Sequence, residues 1–205
     1  MRGLIWFRKD LRIDDNPALS NALDNCDEVI GIYIFSKLQW NAHNESNVKL
    51  EFLLENLTLL EKSLSKLNIP LITINTDSFD SLPKDLCSFV VSNKVGQIFW
   101  NNEFGVNESK RDLLSSAILE KENVKTSRFD DQVIYQPGYL KTGQGKPFSV
   151  FTPFKRRWIE NFEMDFLDIN YTHHVKKPIN IESDLSKIEF VRTHSVNMDL
   201  WPAGE

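Results

Sequence analysis

Five short runs rich in branched and aromatic residues, each separated from the next by a helical stretch, constrain this chain most. They are Gly3 to Phe7, Val29 to Phe35, Leu71 to Ile74, Gln97 to Trp100 and Val124 to Phe129. Gly3 to Phe7 and Val29 to Phe35 read as strands buried on both faces, and the other three are read as further strands. Strands joined by helices pair in parallel through right-handed crossovers. The fold class predicted is α/β: a doubly wound five-stranded parallel sheet with a C-terminal linker.

The intervening segments carry helix signals. Asn16-Pro17 supplies an N-cap and a proline at the first helical position, opening a helix to about Leu23. Ser36 to His43 leads into a long helix. There Leu50, Leu53, Leu54, Leu57, Leu60, Leu64 and Leu67 form a stripe of helical period, stopped by Asn68 and Pro70. Further helices are predicted over Ser81 to Ser92 and Val106 to Glu122, the latter with Leu113, Leu114, Ala117 and Ile118 as its apolar face. After Phe129 the turn signals Gln136-Pro137-Gly138 and Gly143-Gln144-Gly145 suggest a short hairpin. Thr152-Pro153 is read as the cap of a last helix to about Asp168. This divides the chain into a core over 1–130, a loop and last helix over 131–168, and a linker over 169–205.

Net charge is −5, from 24 basic and 29 acidic residues, which argues against a surface built mainly to grip phosphate backbone. The one dense basic cluster, Lys155, Arg156 and Arg157, reads as a solvated face. No apolar run has the roughly 20 residues of a membrane helix. The early charges in MRGLIWFRKD do not fit a secretory signal, which points to a cytosolic chain, expected to be a monomer. Cys26 and Cys87 lie far apart, with no His or further Cys beside them, and are read as reduced structural thiols; no metal site is expected.

In an open parallel sheet ligands bind beyond the carboxyl ends of the strands. Ser36 to Asn44 holds Trp40, His43 and several amides; Asn101 to Glu108 holds three asparagines, two glutamates and a phenylalanine. Together they offer a ring to lie against and polar groups for the edge of a flat heteroaromatic ligand. The same residues also suit plainer roles, with Asn107 as a helix N-cap, Glu108 in a first helical turn and Trp40 under a loop. There is no phosphate-binding P-loop, and the first strand–helix turn contains no glycine, which excludes the usual dinucleotide mode. No nucleophile elbow appears, and no residue is read as catalytic.

Trp6, Arg8, Asp10, Leu11, Arg12, Asp15 and Asn16 form a Trp-x-Arg-x-Asp-Leu-Arg pattern followed by Asp-Asn. It resembles the N-terminal signature of the DNA photolyase and cryptochrome family. RFDDQVIYQPG followed by VFTPFKRRW is similar to the exit from that family's α/β domain, and Trp201 to Glu205 resembles the entry to its helical domain. The likeness is greatest to class-I cyclobutane pyrimidine dimer photolyases. It implies the N-terminal light-harvesting domain of a deoxyribodipyrimidine photolyase, a flavoprotein lyase of DNA repair. Such an enzyme reverses dimers in UV-damaged DNA with blue light and reduced FAD, held in a helical domain beyond this chain. The chain alone would then be inactive. The antenna chromophore implied is methenyltetrahydrofolate, with deazaflavin or flavin as alternatives. His43, Asn107 and Glu108 match the family's pigment positions, and Phe35 and Trp40 are candidate apolar walls by position. Arg8, Asp10 and Arg12 are expected to make ion pairs and hydrogen bonds at the domain interface. Two other readings stay open: the same domain of a cryptochrome photoreceptor, or a stand-alone nucleotide-binding α/β module.

Overall fold

The computed structural model describes residues 1–42, 44–162, 174–185, 197 and 200–204. Strands β1 (Arg2–Phe7), β2 (Glu28–Ser36), β3 (Leu71–Thr76), β4 (Gln97–Asn101) and β5 (Lys125–Phe129) form one sheet in the order β3-β2-β1-β4-β5. Every pairing is parallel. The helices are α1 (Pro17–Asn25), α2 (Lys37–Ala42), α3 (Asn47–Ser65), α4 (Leu82–Ser92), α5 (Val106–Lys121) and α6 (Phe151–Glu160).

Alternate residues of β1, β2 and β4 enter opposite cores, which is why these strands read as unbroken apolar runs. Phe7 and Phe35 join Leu19, Leu23, Leu57 and Leu64 under α1 and α3. Trp6 and Ile32 join Leu86, Val90, Trp100 and Leu119 under α4 and α5. Each fully buried large side chain contributes about 1.5–3 kcal/mol, so the two layers outweigh any single polar contact. The leucine stripe of α3 packs as its spacing predicts, with Leu57, Leu60 and Leu64 buried.

Four local expectations are corrected. The connection after β2 is not a plain loop, because Lys37–Ala42 forms a helical turn and a half. No strand is present among residues 131–150; the chain there is closed by a turn in which Thr142 accepts from Gly145 and donates to Lys146. The last helix is preceded by Val150, not capped by Thr152, and ends at Glu160; residues 163–173 lie outside the described part.

The fourth correction bears on function. The predicted apolar face of α5 points outward: Leu113 is 61% and Leu114 50% exposed. The inward face carries Arg111, Asp112, Ser115 and Leu119. A buried charge cluster at the carboxyl edge of the sheet outcompetes the leucines for that face.

Residues 174–185, read from sequence as linker, lie along the free edge of β3. Leu71 N–H donates to Ser183 Oγ (3.0 Å), and the Asp184 carboxylate accepts from Thr73 N (2.6 Å) and Oγ1 (2.9 Å). Leu185 is buried in the core under α1 and α3, and Ile179 and Ile181 pack against the core on the other face, so the segment covers an edge that would otherwise offer open backbone groups. Asp184→Ala should lower unfolding free energy by about 1.5 kcal/mol, the lower end for bonds to a charged acceptor, read as a reduced urea midpoint.

Candidate functional site

From β1 the chain order runs outward both ways, to β2 on one side and β4 on the other. Loops leaving the strands on either side of that switch diverge at the carboxyl edge, where doubly wound sheets take their ligands. A cleft of about 840 Å³ opens there. The loop Arg8 to Arg12 forms one wall. Gln39 and Trp40 of α2 stand opposite Asn107 and Glu108 of α5, and Tyr33 and Glu103 lie between them.

The floor of the cleft rests on charge. Arg8, just past β1, donates through Nη1 to both Asp112 oxygens, at 2.9 and 2.8 Å. Arg111 reaches the same carboxylate at 2.8 Å and Glu103 at 2.9 Å. Lys9 approaches Glu103 from the rim at 3.4 Å. Both guanidiniums lie against the ring of Trp6, 5.0 and 4.8 Å from its centre. Burial opposes ionisation of Glu103, but Arg8, Arg111 and Lys9 outweigh it, holding its carboxyl below the usual glutamate range. Burial pulls the Arg8 proton affinity down, against the raising effect of Asp112.

A second knot ties β1 to β4 and α1. Asp10 accepts from the Arg8 backbone (2.8 Å) and from Asn101 Nδ2 (2.6 Å). Asn101 also donates to Asn16 Oδ1 (2.9 Å) and accepts from Ala18 N (3.2 Å). Asn16 caps α1 by accepting from Leu19 N, as its sequence predicts. Burial pushes the Asp10 carboxyl up, against the hydrogen bonds it accepts. Arg12 forks onto Asp131 at 2.5 and 3.0 Å. The signature residues Arg8, Asp10 and Arg12 therefore find these partners inside the α/β domain itself.

The opposed shifts of Glu103 and Asp10 give a pH prediction. A depressed folded pKa adds stability above the unfolded value, lost as pH falls through the folded one; a raised one acts in reverse. As pH drops below about 4.5, the usual glutamate value, the Glu103 contribution is lost. Subtracting the acid unfolding profile of Glu103→Gln from that of the native chain should isolate a difference that shrinks with falling pH. Parallel profiles would refute it.

Among the residues expected to form a site, Trp40, Asn107 and Glu108 line the same cleft. Trp40 is half-buried, with the Lys49 ammonium 5.8 Å from its ring centre. Asn107 is exposed in the first turn of α5; Gly105 occupies the N-cap position instead. Glu108 folds back over Gly105, so close that a side chain there would overlap its carboxylate. Phe35 is 3% exposed, in the core behind Tyr33, with their ring centres 4.7 Å apart. His43 lies outside the described residues, while Trp40 before it and Glu45 after it line the cleft.

Sequence reasoning missed Tyr33, Arg111 and Asp112. The signal for the last two was present but polar: Glu108, Arg111, Asp112, Ser115 and Leu119 repeat at helical spacing, and a search for apolar stripes passes over them.

The family model described as DNA photolyase matches residues 3–177. The chain belongs to the DNA photolyase family. Photolyase relatives include the deoxyribodipyrimidine photo-lyases of Vibrio cholerae, 34% identical over 78% of this chain, and of Escherichia coli, 37% identical over 77%. The chain spans about one third of the length of these relatives, 34% and 33% respectively. A class III photolyase from Agrobacterium tumefaciens shares the fold, with a TM-score of 0.76 at 24% identity, over 91% of this chain and 37% of the other.

Proposed function

We propose that this chain is the light-harvesting domain of a deoxyribodipyrimidine photo-lyase, and that its cleft holds an antenna pigment. The observation that carries the proposal is the cleft at the strand-order switch, shared by Trp40 on one side and Asn107 and Glu108 on the other. A flat chromophore lying there meets an aromatic wall at Trp40 and hydrogen-bonding groups at its edge. The Glu108 carboxylate accepts from ring N–H and amine donors, and the Asn107 amide both donates and accepts. These features favour a pterin edge, hence methenyltetrahydrofolate over deazaflavin or flavin. The pigment would absorb near-ultraviolet light and pass the excitation to a flavin held elsewhere in the parent protein. The cleft side chains bind and orient the pigment, and energy transfer asks of them neither a nucleophile nor a proton shuttle.

In the full-length protein, with a helical domain binding FAD beyond residues 169–205, the substrate is UV-damaged DNA. Glu108→Ala in that protein should lower pigment occupancy and near-ultraviolet absorbance while flavin-driven repair continues. Loss of one charge-assisted contact costs roughly 1.5–3 kcal/mol, a ten- to hundredfold weaker association. Unchanged pigment content in the variant would discard the site. Absence of blue-light repair of dimer-containing DNA by the native protein would discard the repair function and leave the photoreceptor reading.

A further inference from the structure

The polar side chains on the floor of the cleft bond one another. Arg8 and Arg111 share Asp112, Arg111 also holds Glu103, and Asp10 accepts from Asn101. Tyr33 stands apart. It lies in β2, partly buried, and lines the same cleft as Trp40 and Glu108. Among the described residues its hydroxyl has no hydrogen-bond partner. Trp100 Nε1 and Ser115 Oγ also lack partners, but they are sealed in the interior, whereas the Tyr33 hydroxyl is open to the cleft.

The ring of Tyr33 is enough for its packing. It meets Phe35 edge-on, with ring centres 4.7 Å apart, and joins the core under α1 and α3. Phe35, two residues on and so on the same face of the strand, fills its own place with no hydroxyl. A phenylalanine at position 33 would pack as well, without the cost of a polar group that finds no internal partner. The hydroxyl is therefore left for something that enters the cleft. Its proton stays on, because burial raises its proton affinity and the carboxylates of Glu103 and Asp10 raise it further, against Arg111. It offers a ligand a neutral donor beside carboxylates that only accept.

We propose that Tyr33 decides which flat ligand the cleft takes, by donating its hydroxyl proton to a carbonyl oxygen on the ligand's ring. The proposal rests on the antenna reading for the occupant of the cleft and adds a requirement to it. The Glu108 carboxylate takes N–H donors, whereas Tyr33 needs an acceptor. A ring with a lactam edge, carbonyl beside N–H, supplies both. An amine in place of that carbonyl sets donor against donor and leaves the hydroxyl unpaired once water has been displaced.

Folic acid and aminopterin test it, since they share one skeleton and a ring carbonyl of the first is an amine in the second. Both are titrated, with methenyltetrahydrofolate, against the 205-residue chain and its Tyr33→Phe variant by quenching of protein fluorescence. Tyr33→Phe should weaken methenyltetrahydrofolate and folic acid roughly three- to tenfold. Aminopterin should bind the variant as well as it binds the native chain, or more tightly, whichever compound the native chain prefers. The urea midpoint of the variant should not fall, because no internal hydrogen bond is lost. Equal weakening of folic acid and aminopterin would reduce Tyr33 to packing and overturn the proposal. Unchanged binding of all three compounds, or a lower midpoint, would overturn it as well. A native chain that binds none of the three sinks the antenna reading and this assignment with it. Native binding with a variant that discriminates as before sinks the assignment alone.

Discussion

Asp112→Ala is expected to destabilise the fold by about 3–5 kcal/mol, the cost of leaving buried charge without its partner. Asp112 is fully buried and bonded by two guanidiniums, those of Arg8 and Arg111. Both cations also lie on the ring of Trp6, so neither can leave for water without opening that core. Glu103 remains to hold Arg111 but stands 3.8 Å from Arg8, too far for a hydrogen bond to replace the one lost. Asp112→Asn separates charge from shape. It keeps the volume and an acceptor but removes the negative charge, and should fall between native and alanine in denaturant unfolding. An alanine variant within about 1 kcal/mol of native would show that the cluster is ornamental, with surface-like worth. The cleft should suffer too, because Arg111 and Glu103 form part of its floor.

The second large effect falls at Asn101, where Asn101→Ala should cost about 2–4 kcal/mol through one unpaired buried N–H and two further bonds lost. Asn101 is 3% exposed at the end of β4, and its amide is tied to the loop after β1 through Asp10, to the cap of α1 through Asn16, and to the first turn of α1 through Ala18. Removing it leaves Ala18 N–H unpaired in the interior and strips the Asp10 carboxylate of a donor. It also frees an N–H at the start of α1. Asn101→Asp should fare worse than its single-atom change suggests, since it sets a second carboxylate against Asp10. Native-like stability in both variants would dismiss the knot as a determinant of the fold.

What was legible in the sequence is what local physics decides. Strands buried on both faces must be continuously apolar, so β1, β2 and β4 were visible as such, whereas β5 is an edge strand of mixed, partly exposed residues; crossover helices of this length force them parallel. Asn16-Pro17 fixed the start of α1, because a cap and a first-position proline act within four residues. The leucine stripe of α3 placed its buried face for the same reason. The signature at Trp6 to Asn16 carried the family, and the family model confirms it.

Only the tertiary structure decided where the charges went. Arg8 and Asp112 are separated by 104 positions, and Asp10 and Asn101 by 91, so no periodicity joins them. Their pairing turned α5 over, drawing Arg111 and Asp112 inward and leaving Leu113 and Leu114 in solvent, against what hydrophobicity alone would choose. The reason is energetic. Two buried guanidiniums need carboxylates more urgently than two leucines need cover, and that demand arises only once β1 and β4 lie side by side.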